Sequence, residues 1–201
     1  MCLCDIIQKL IMIDDRSKNL GYREFAKDYK IEYEERPGGK RLKAVRVYVG
    51  PWYRFSASPE RVRFLRWLYL LGLVAIAVLL LIPMCIDCTF SRTWYIQVPA
   101  MAAWIPFVFA GCATWRLWTA GEKVTREHNA LLGARMSGAC MFLMGFCLIS
   151  CIGCIYAAAV QAQAFADYVV CGCHMLSGFC ATYLFSQRKG LDMTVVEQAK
   201  K

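Results

Sequence analysis

Four runs of the chain carry no charged residue over about the 20 predominantly apolar positions that a helix needs to cross a bilayer. They are Trp67 to Ile86, Thr93 to Trp115, a stretch that starts at Met136 and passes Tyr156, and Tyr168 to Gln187. In hydrocarbon each backbone amide must find its partner within the segment, so each run predicts a helix and not an open strand. The expected spans are about 65–86, 95–115, 136–158 and 166–186. Gln97, Pro99 and Pro106 interrupt the second.

Ahead of these runs the period changes. In "YKIEYEERPGGKRLKAVRVYV", Tyr29, Ile31 and Tyr33 alternate with Lys30, Glu32 and Glu34, and Val45, Val47 and Val49 repeat every second position. "RPGGK" between them supplies a proline with fixed φ and glycines that accept positive φ, which predicts a β-hairpin. Its register decides whether Glu32 and Glu34 stand opposite Lys43 or Arg41. Earlier still, Ile6, Ile7, Leu10 and Ile11 fall near one face of a short amphipathic helix. That segment lacks the basic start and continuous apolar core of a secretory signal. Next, "SASPER" is a helix start, with Ser58 as N-cap, Pro59 in the first turn and Glu60 at the positive end of the dipole.

Charge orients this pattern. Lysine and arginine are retained on the cytoplasmic side of a membrane. Of the 24 in the chain, 15 lie between Met1 and Arg66. Arg116, Lys123, Arg126 and Arg135 lie between or at the edges of the second and third runs, and Arg188, Lys189, Lys200 and Lys201 in the tail. Arg92 alone falls between the first and second. Both termini are therefore expected in the cytoplasm. A 58% hydrophobic share and a mean hydropathy of +0.38 place the whole chain in the membrane class. The net charge of +9 would suit a nucleic-acid partner, but nine acidic residues are interleaved among the basic ones up to Arg66, and no nucleic-acid motif is present. Retention inside and contact with anionic lipid account for the basicity, so no nucleic-acid partner is expected. In "GPWYRF", Trp52, Tyr53 and Phe55 suit the headgroup zone with Arg54 facing anionic lipid, and Arg66 marks the entry to hydrocarbon.

The connections facing outward are short: roughly ten residues around "CTFSRTW", and a polar "QAQ" with its neighbours. Short connections make successive helices antiparallel neighbours, so the expected fold is an all-α transmembrane, four-helix up-down bundle. It carries a small N-terminal cytosolic segment containing the hairpin. The expected organisation is a basic segment 1–57, a bundle 58–187 and a cytosolic tail 188–201. So small a soluble segment has a marginal core, and an isolated hairpin is barely stable. It is therefore expected to lean on the inner membrane surface, the bundle or a partner protein.

Twelve cysteines remain to be explained. At 100° per residue, Cys140, Cys147, Cys151 and Cys154 fall within about 60° of one another, and Gly133 and Ala158 extend the stripe. Small residues in a stripe allow close helix packing in lipid, and free cysteine acts there as a small apolar residue. Cys173, Ser177 and Ala181 repeat small residues on the fourth helix. Phe142, Ile149 and Ile152 point elsewhere. Two chemical alternatives compete with packing. Cys85 and Cys88 in "PMCIDC" have the C-x-x-C spacing of a redox pair at the outer end of the first helix. Asp167, Cys171 and His174 share one face of the fourth helix, and with Cys151 and Cys154 form a soft-metal alternative. Asp167 is otherwise the cap of that helix, and His174 a neutral histidine bonded within the bundle. Cys2 and Cys4 are too few for a zinc site alone, and His128 in "GEKVTREHNALLGARM" reads as solvated on a charged cytosolic helix.

No Ser/His/Asp set, phosphate-binding glycine loop or H-E-x-x-H occurs. The hairpin leading into "YVGPWYRF", the unbroken first span, "WYIQVPAMAAWIPFVFAG" and "EKVTREHNALLGARMSGA" together resemble a group of small four-helix membrane proteins of Gram-positive gut bacteria. The resemblance covers most of the chain and implies a bacterial plasma-membrane location, with no activity or cofactor attached. The expected function is that of a non-enzymatic accessory or scaffold protein without a cofactor, with a thiol-disulfide oxidoreductase and a soft-metal or small-solute transporter as alternatives.

Overall fold

The computed structural model describes residues 25–35, 42–160 and 164–197. The N-terminal amphipathic helix, Cys2, Cys4 and the "RPGGK" turn lie outside them. The chain is mostly helical and divides into two units. One comprises Met1–Arg54, Lys123–Glu127 and Val195–Lys201, the other Phe55–Glu122 and His128–Thr194.

The first unit contains the hairpin, β1 (Tyr29–Glu35) against β2 (Leu42–Tyr48), antiparallel with Tyr29 opposite Tyr48 and Glu34 opposite Lys43. Glu32 stands opposite Val45 and not opposite a basic residue. A short 3-10 turn, Ala26–Asp28, precedes β1, and the Asp28 carbonyl accepts the N–H groups of Val49 and Gly50 at 2.8 and 3.2 Å. Gly50 is required there: a Cβ would meet the Asp28 Cβ and the Tyr48 hydroxyl, each at 2.7 Å. The Tyr48 hydroxyl donates to the Pro51 carbonyl at 2.8 Å and accepts the Arg126 N–H at 3.0 Å. Its ring packs edge-on against Tyr29 and Trp52, with centroids 5.2 and 4.9 Å away. Tyr53 and Val124 exchange both backbone hydrogen bonds at 2.9 Å. Aromatic area and saturated backbone groups thus substitute for the large core that so short a segment cannot build.

The second unit carries the long helices. The first, α1 (Pro59–Cys85), starts where the sequence predicts, with the Ser58 hydroxyl accepting the Arg61 N–H at 3.3 Å and Pro59 in the first turn. A four-residue helix, α2 (Thr89–Arg92), fills the next connection. The proline-interrupted run forms two helices, α3 (Trp94–Ala102) and α4 (Trp104–Thr119), which meet at Ala103. The segment containing His128 is no separate linker: α5 runs unbroken from Arg126 to Val160. His128 is half-buried on it rather than solvated. The last long helix is α6 (Phe165–Ser186), continued by a 3-10 turn, Gln187–Leu191. The tail adds a strand that periodicity did not reveal, β4 (Met193–Glu197), paired with β3 (Trp52–Phe55). Among the described residues, four helical segments are long and apolar enough to cross a membrane: Pro59–Cys85, Trp94–Thr119, Arg126–Val160 and Phe165–Leu191.

Small residues set the closest approaches. A Cβ on Gly72 of α1 would lie 2.9 Å from a Leu184 methyl of α6, and the buried Tyr69 hydroxyl donates to the Leu184 carbonyl at 2.9 Å. A Cβ on Gly178 of α6 would meet the Cys147 Cβ at an ordinary contact distance of 3.4 Å, so the cysteine face of α5 passes close to α6 there. Gly153 of α5 lies against Ile96 and the Tyr95 carbonyl of α3. A main core of Leu65, Tyr69, Ile76, Leu117, Leu132, Met136, Leu143 and Leu184 fills the space between.

Candidate functional site

In the helical unit, polar and sulfur groups converge around α2. Asp167, in the first turn of α6, is fully buried. One carboxylate oxygen accepts the Ala164 N–H at 2.9 Å, closing the N-terminus of its own helix. The other accepts the Phe90 N–H at 2.9 Å, closing the N-terminus of α2. One side chain therefore satisfies backbone donors at two helix ends, where negative charge is also favoured by the helix dipole. The capping role expected for Asp167 is present. Its second partner, 77 positions away, was not legible.

Cys88 is the N-cap of α2. Its sulfur accepts the Ser91 N–H at 3.4 Å, and the Ser91 hydroxyl accepts the Cys88 N–H at 3.0 Å. This reciprocal pair is a capping box with sulfur in place of oxygen. The spacing "CTFS" carried the signal, though C-x-x-S is an unusual form of it. Cys85 sits exposed at the end of α1. Among the described residues every cysteine is a free thiol, Cys85 and Cys88 included.

The cysteine stripe of α5 faces inward. Cys140, Cys147 and Cys154 are buried and Cys151 is half-buried, whereas Phe142, Ile149 and Ile152 are exposed. On α6, Cys173, Ser177 and Ala181 are likewise buried. Cys154 belongs to a buried cluster with Phe90, Ile96, Ala157 and Val170, and Cys88 and Cys171 pack against it. Cys171 of α6 and Cys154 of α5 thus meet in one apolar cluster. Of the soft-metal alternative, then, Cys154 and Cys171 share a cluster to which Cys151 does not belong. His174 is buried, and its Nδ1 has no hydrogen-bond partner among the described residues. Among those residues no three histidine, cysteine, aspartate or glutamate side chains are grouped to hold a metal ion.

The proposed interfacial residues occupy two settings. In the first unit Trp52 is half-buried against Tyr48, Tyr53 is half-buried with its backbone paired to Val124, and Arg54 is exposed. In the second, Phe55 packs against the main core and Arg66 donates to the Ala120 carbonyl at 2.7 Å. Arg66 thus closes the C-terminus of α4, whose last carbonyls lack intrahelical partners. At the opposite connection Arg92 grips Asp87 through two hydrogen bonds of 2.8 and 2.7 Å. Both side chains are exposed, and the guanidinium holds the Asp87 carboxyl below the usual range.

No protein-family model, curated protein or solved structure matches the chain.

Proposed function

We propose that this chain is an integral plasma-membrane protein, a four-helix up-down bundle with both termini in the cytoplasm. It acts as a non-enzymatic accessory or scaffold, with its N-terminal hairpin segment available to the inner membrane surface or a partner protein. The observation that carries the membrane reading is the outward surface of the long helices. Leu71, Val78, Phe142, Phe165 and Phe179 are exposed by 50% or more, as are many neighbours of the same kind. Apolar area in water disfavours a fold by about 25 cal/mol per Å², and monomeric soluble proteins rarely expose patches beyond a few hundred Å². Lipid removes that penalty. Non-catalytic use is supported by how the interior polar groups are employed. Tyr69 donates to the Leu184 carbonyl, Ser150 to Ile96 and Ser177 to Cys173, all backbone acceptors inside the fold. The first two tie neighbouring helices together, the third stays within α6, and all three spend their hydroxyls on the fold's own backbone.

The hairpin's availability rests on Ile31, a large apolar side chain of β1 that is 61% exposed. Alkaline carbonate extraction of membranes tests insertion: the chain stays in the pellet, and its release to the supernatant would refute the reading. A photoreactive residue in place of Ile31 tests the hairpin in living cells. A discrete protein adduct or a lipid adduct supports the role, whereas no adduct to either opposes it.

A further inference from the structure

A cleft of about 540 Å³ opens in the helical unit between α5 and the 3-10 turn that follows α6. Ligand sites typically span about 300–1,000 Å³. Met136 and Leu191 supply apolar lining, and both belong to the main core with Leu65, the neighbour of Arg66. The cleft therefore lies at the same end of the bundle as Arg66. Its polar lining comes from two elements. Asn129, Gly133 and Ser137 repeat every fourth position of α5 and so share one line of that helix. Arg188 and Lys189 of the turn supply two positive charges, and Asp192 offsets one of them. The Arg188 guanidinium carbon stands 4.0 Å from the Phe185 ring centroid. Stacking uses the guanidinium face and leaves its in-plane N–H groups to grip an oxyanion. Cytoplasmic retention and the helix dipole account for cations just past α6. They do not account for an open cleft that joins those cations to the half-buried Asn129 and Ser137. Beyond Ser137 the same line of α5 carries Met141 and Leu148, exposed by 57% and 62%. Cations at one end and a lipid-facing apolar line at the other match a ligand that combines a phosphate with hydrocarbon chains.

We propose that this cleft binds the headgroup of one anionic phospholipid of the inner leaflet, with the acyl chains lying along Met141 and Leu148. Arg188 and Lys189 hold the phosphate through charge-assisted hydrogen bonds, and Asn129 and Ser137 donate to the remaining headgroup oxygens. The bound lipid bridges α5 to the turn that leads into the tail. It ties the accessory role proposed above to an anionic membrane surface, and so rests on the membrane reading.

The test uses the purified full chain in detergent micelles, with dioleoyl phosphatidylglycerol as the probe and native mass spectrometry as the readout. Dioleoyl phosphatidylcholine and inorganic phosphate are the comparison ligands. One phosphatidylglycerol is expected to stay on the wild-type chain once the micelle is stripped, whereas phosphatidylcholine leaves. Arg188→Gln and Lys189→Gln each raise the lipid concentration for half occupancy about tenfold, the loss of one charge-assisted contact. Arg63→Gln, which removes an exposed cation of α1 outside the cleft, leaves that concentration unchanged. Gly133→Leu fills the cleft and abolishes retention. A Cβ at Gly133 meets nothing within 4 Å, so this variant keeps its fold, as circular dichroism checks. The proposal is overturned if phosphatidylcholine is retained equally, or if inorganic phosphate at the same concentration displaces the lipid. It is also overturned if Arg63→Gln weakens retention as much as Arg188→Gln, or if the folded Gly133→Leu variant keeps the lipid. Carbonate extraction reads insertion separately: a chain that stays in the pellet but retains no phosphatidylglycerol overturns this proposal alone.

Discussion

Asp167 accepts the backbone N–H of Phe90 at 2.9 Å, so a carboxylate on the last long helix holds the start of the four-residue helix that follows the first. The same carboxylate caps its own helix through Ala164. Replacing one of its oxygens with an amide NH₂ leaves a buried N–H facing a donor. An unsatisfied buried polar group costs about 1–3 kcal/mol. Asp167→Asn is therefore expected to lower stability by that amount, and Asp167→Ala by at least as much. Thermal unfolding in detergent, followed by circular dichroism, measures it; an unchanged midpoint for both variants would contradict the double cap.

Helix spacing gives a second, comparative prediction. Gly72 has no room for a side chain beside Leu184, whereas a Cβ on Gly111 meets nothing within 4 Å. Overpacking costs about 1–3 kcal/mol. Gly72→Val should destabilise the helical unit by that order and Gly111→Val by clearly less. Denaturant unfolding of the two variants side by side checks the ranking.

In the N-terminal unit Tyr48 both donates to Pro51 and accepts from Arg126. Tyr48→Phe removes both bonds, each worth about 0.5–1.5 kcal/mol. Faster hydrogen exchange at the Arg126 amide is the expected signature. Burial raises the Tyr48 hydroxyl above its ordinary value. Its contribution to stability is therefore complete below the usual tyrosine range and is lost as pH rises through the raised value. Ultraviolet titration of wild type against Tyr48→Phe should reveal one late-ionising tyrosine.

Asp87 supplies the opposite pH sign. Its carboxyl is held low by Arg92, so the pairing contributes above the ordinary aspartate range and is lost as pH falls through the lowered value. Both groups are exposed, and surface pairs of this kind add little. Arg92→Gln should return the Asp87 titration, read by carboxyl carbon chemical shift, to the ordinary range without moving the melting temperature. A titration midpoint unaltered by the substitution would argue against the pair.

These relationships differ in how far the sequence disclosed them. Long uncharged runs specify helices because lipid-crossing length and backbone satisfaction admit little else, and Ser58–Pro59–Glu60 located the start of α1 by capping chemistry alone. Periodicity of two located the hairpin. It could not locate β3 and β4, strands of four and five residues whose partners lie about 140 positions apart. Helical projection gathered Cys140, Cys147, Cys151 and Cys154 on one face, since that face is a property of a single helix. Neither the meeting of Cys171 and Cys154 in one cluster nor the approach of Asp167 to Phe90 is local, and no spacing rule reaches them. Gly72 was equally hidden, because its meaning comes from Leu184 on another helix.

The central claim is that four helices cross the membrane with both chain ends inside, and the cysteines themselves report on it. Intact cells are treated with a membrane-impermeant maleimide, and modified residues are identified by peptide mapping. The account predicts modification of Cys85, exposed in the connection after α1, with Cys2 and Cys4 protected until the membrane is opened. Labelling of Cys2 and Cys4 in sealed cells, with Cys85 protected, would contradict it.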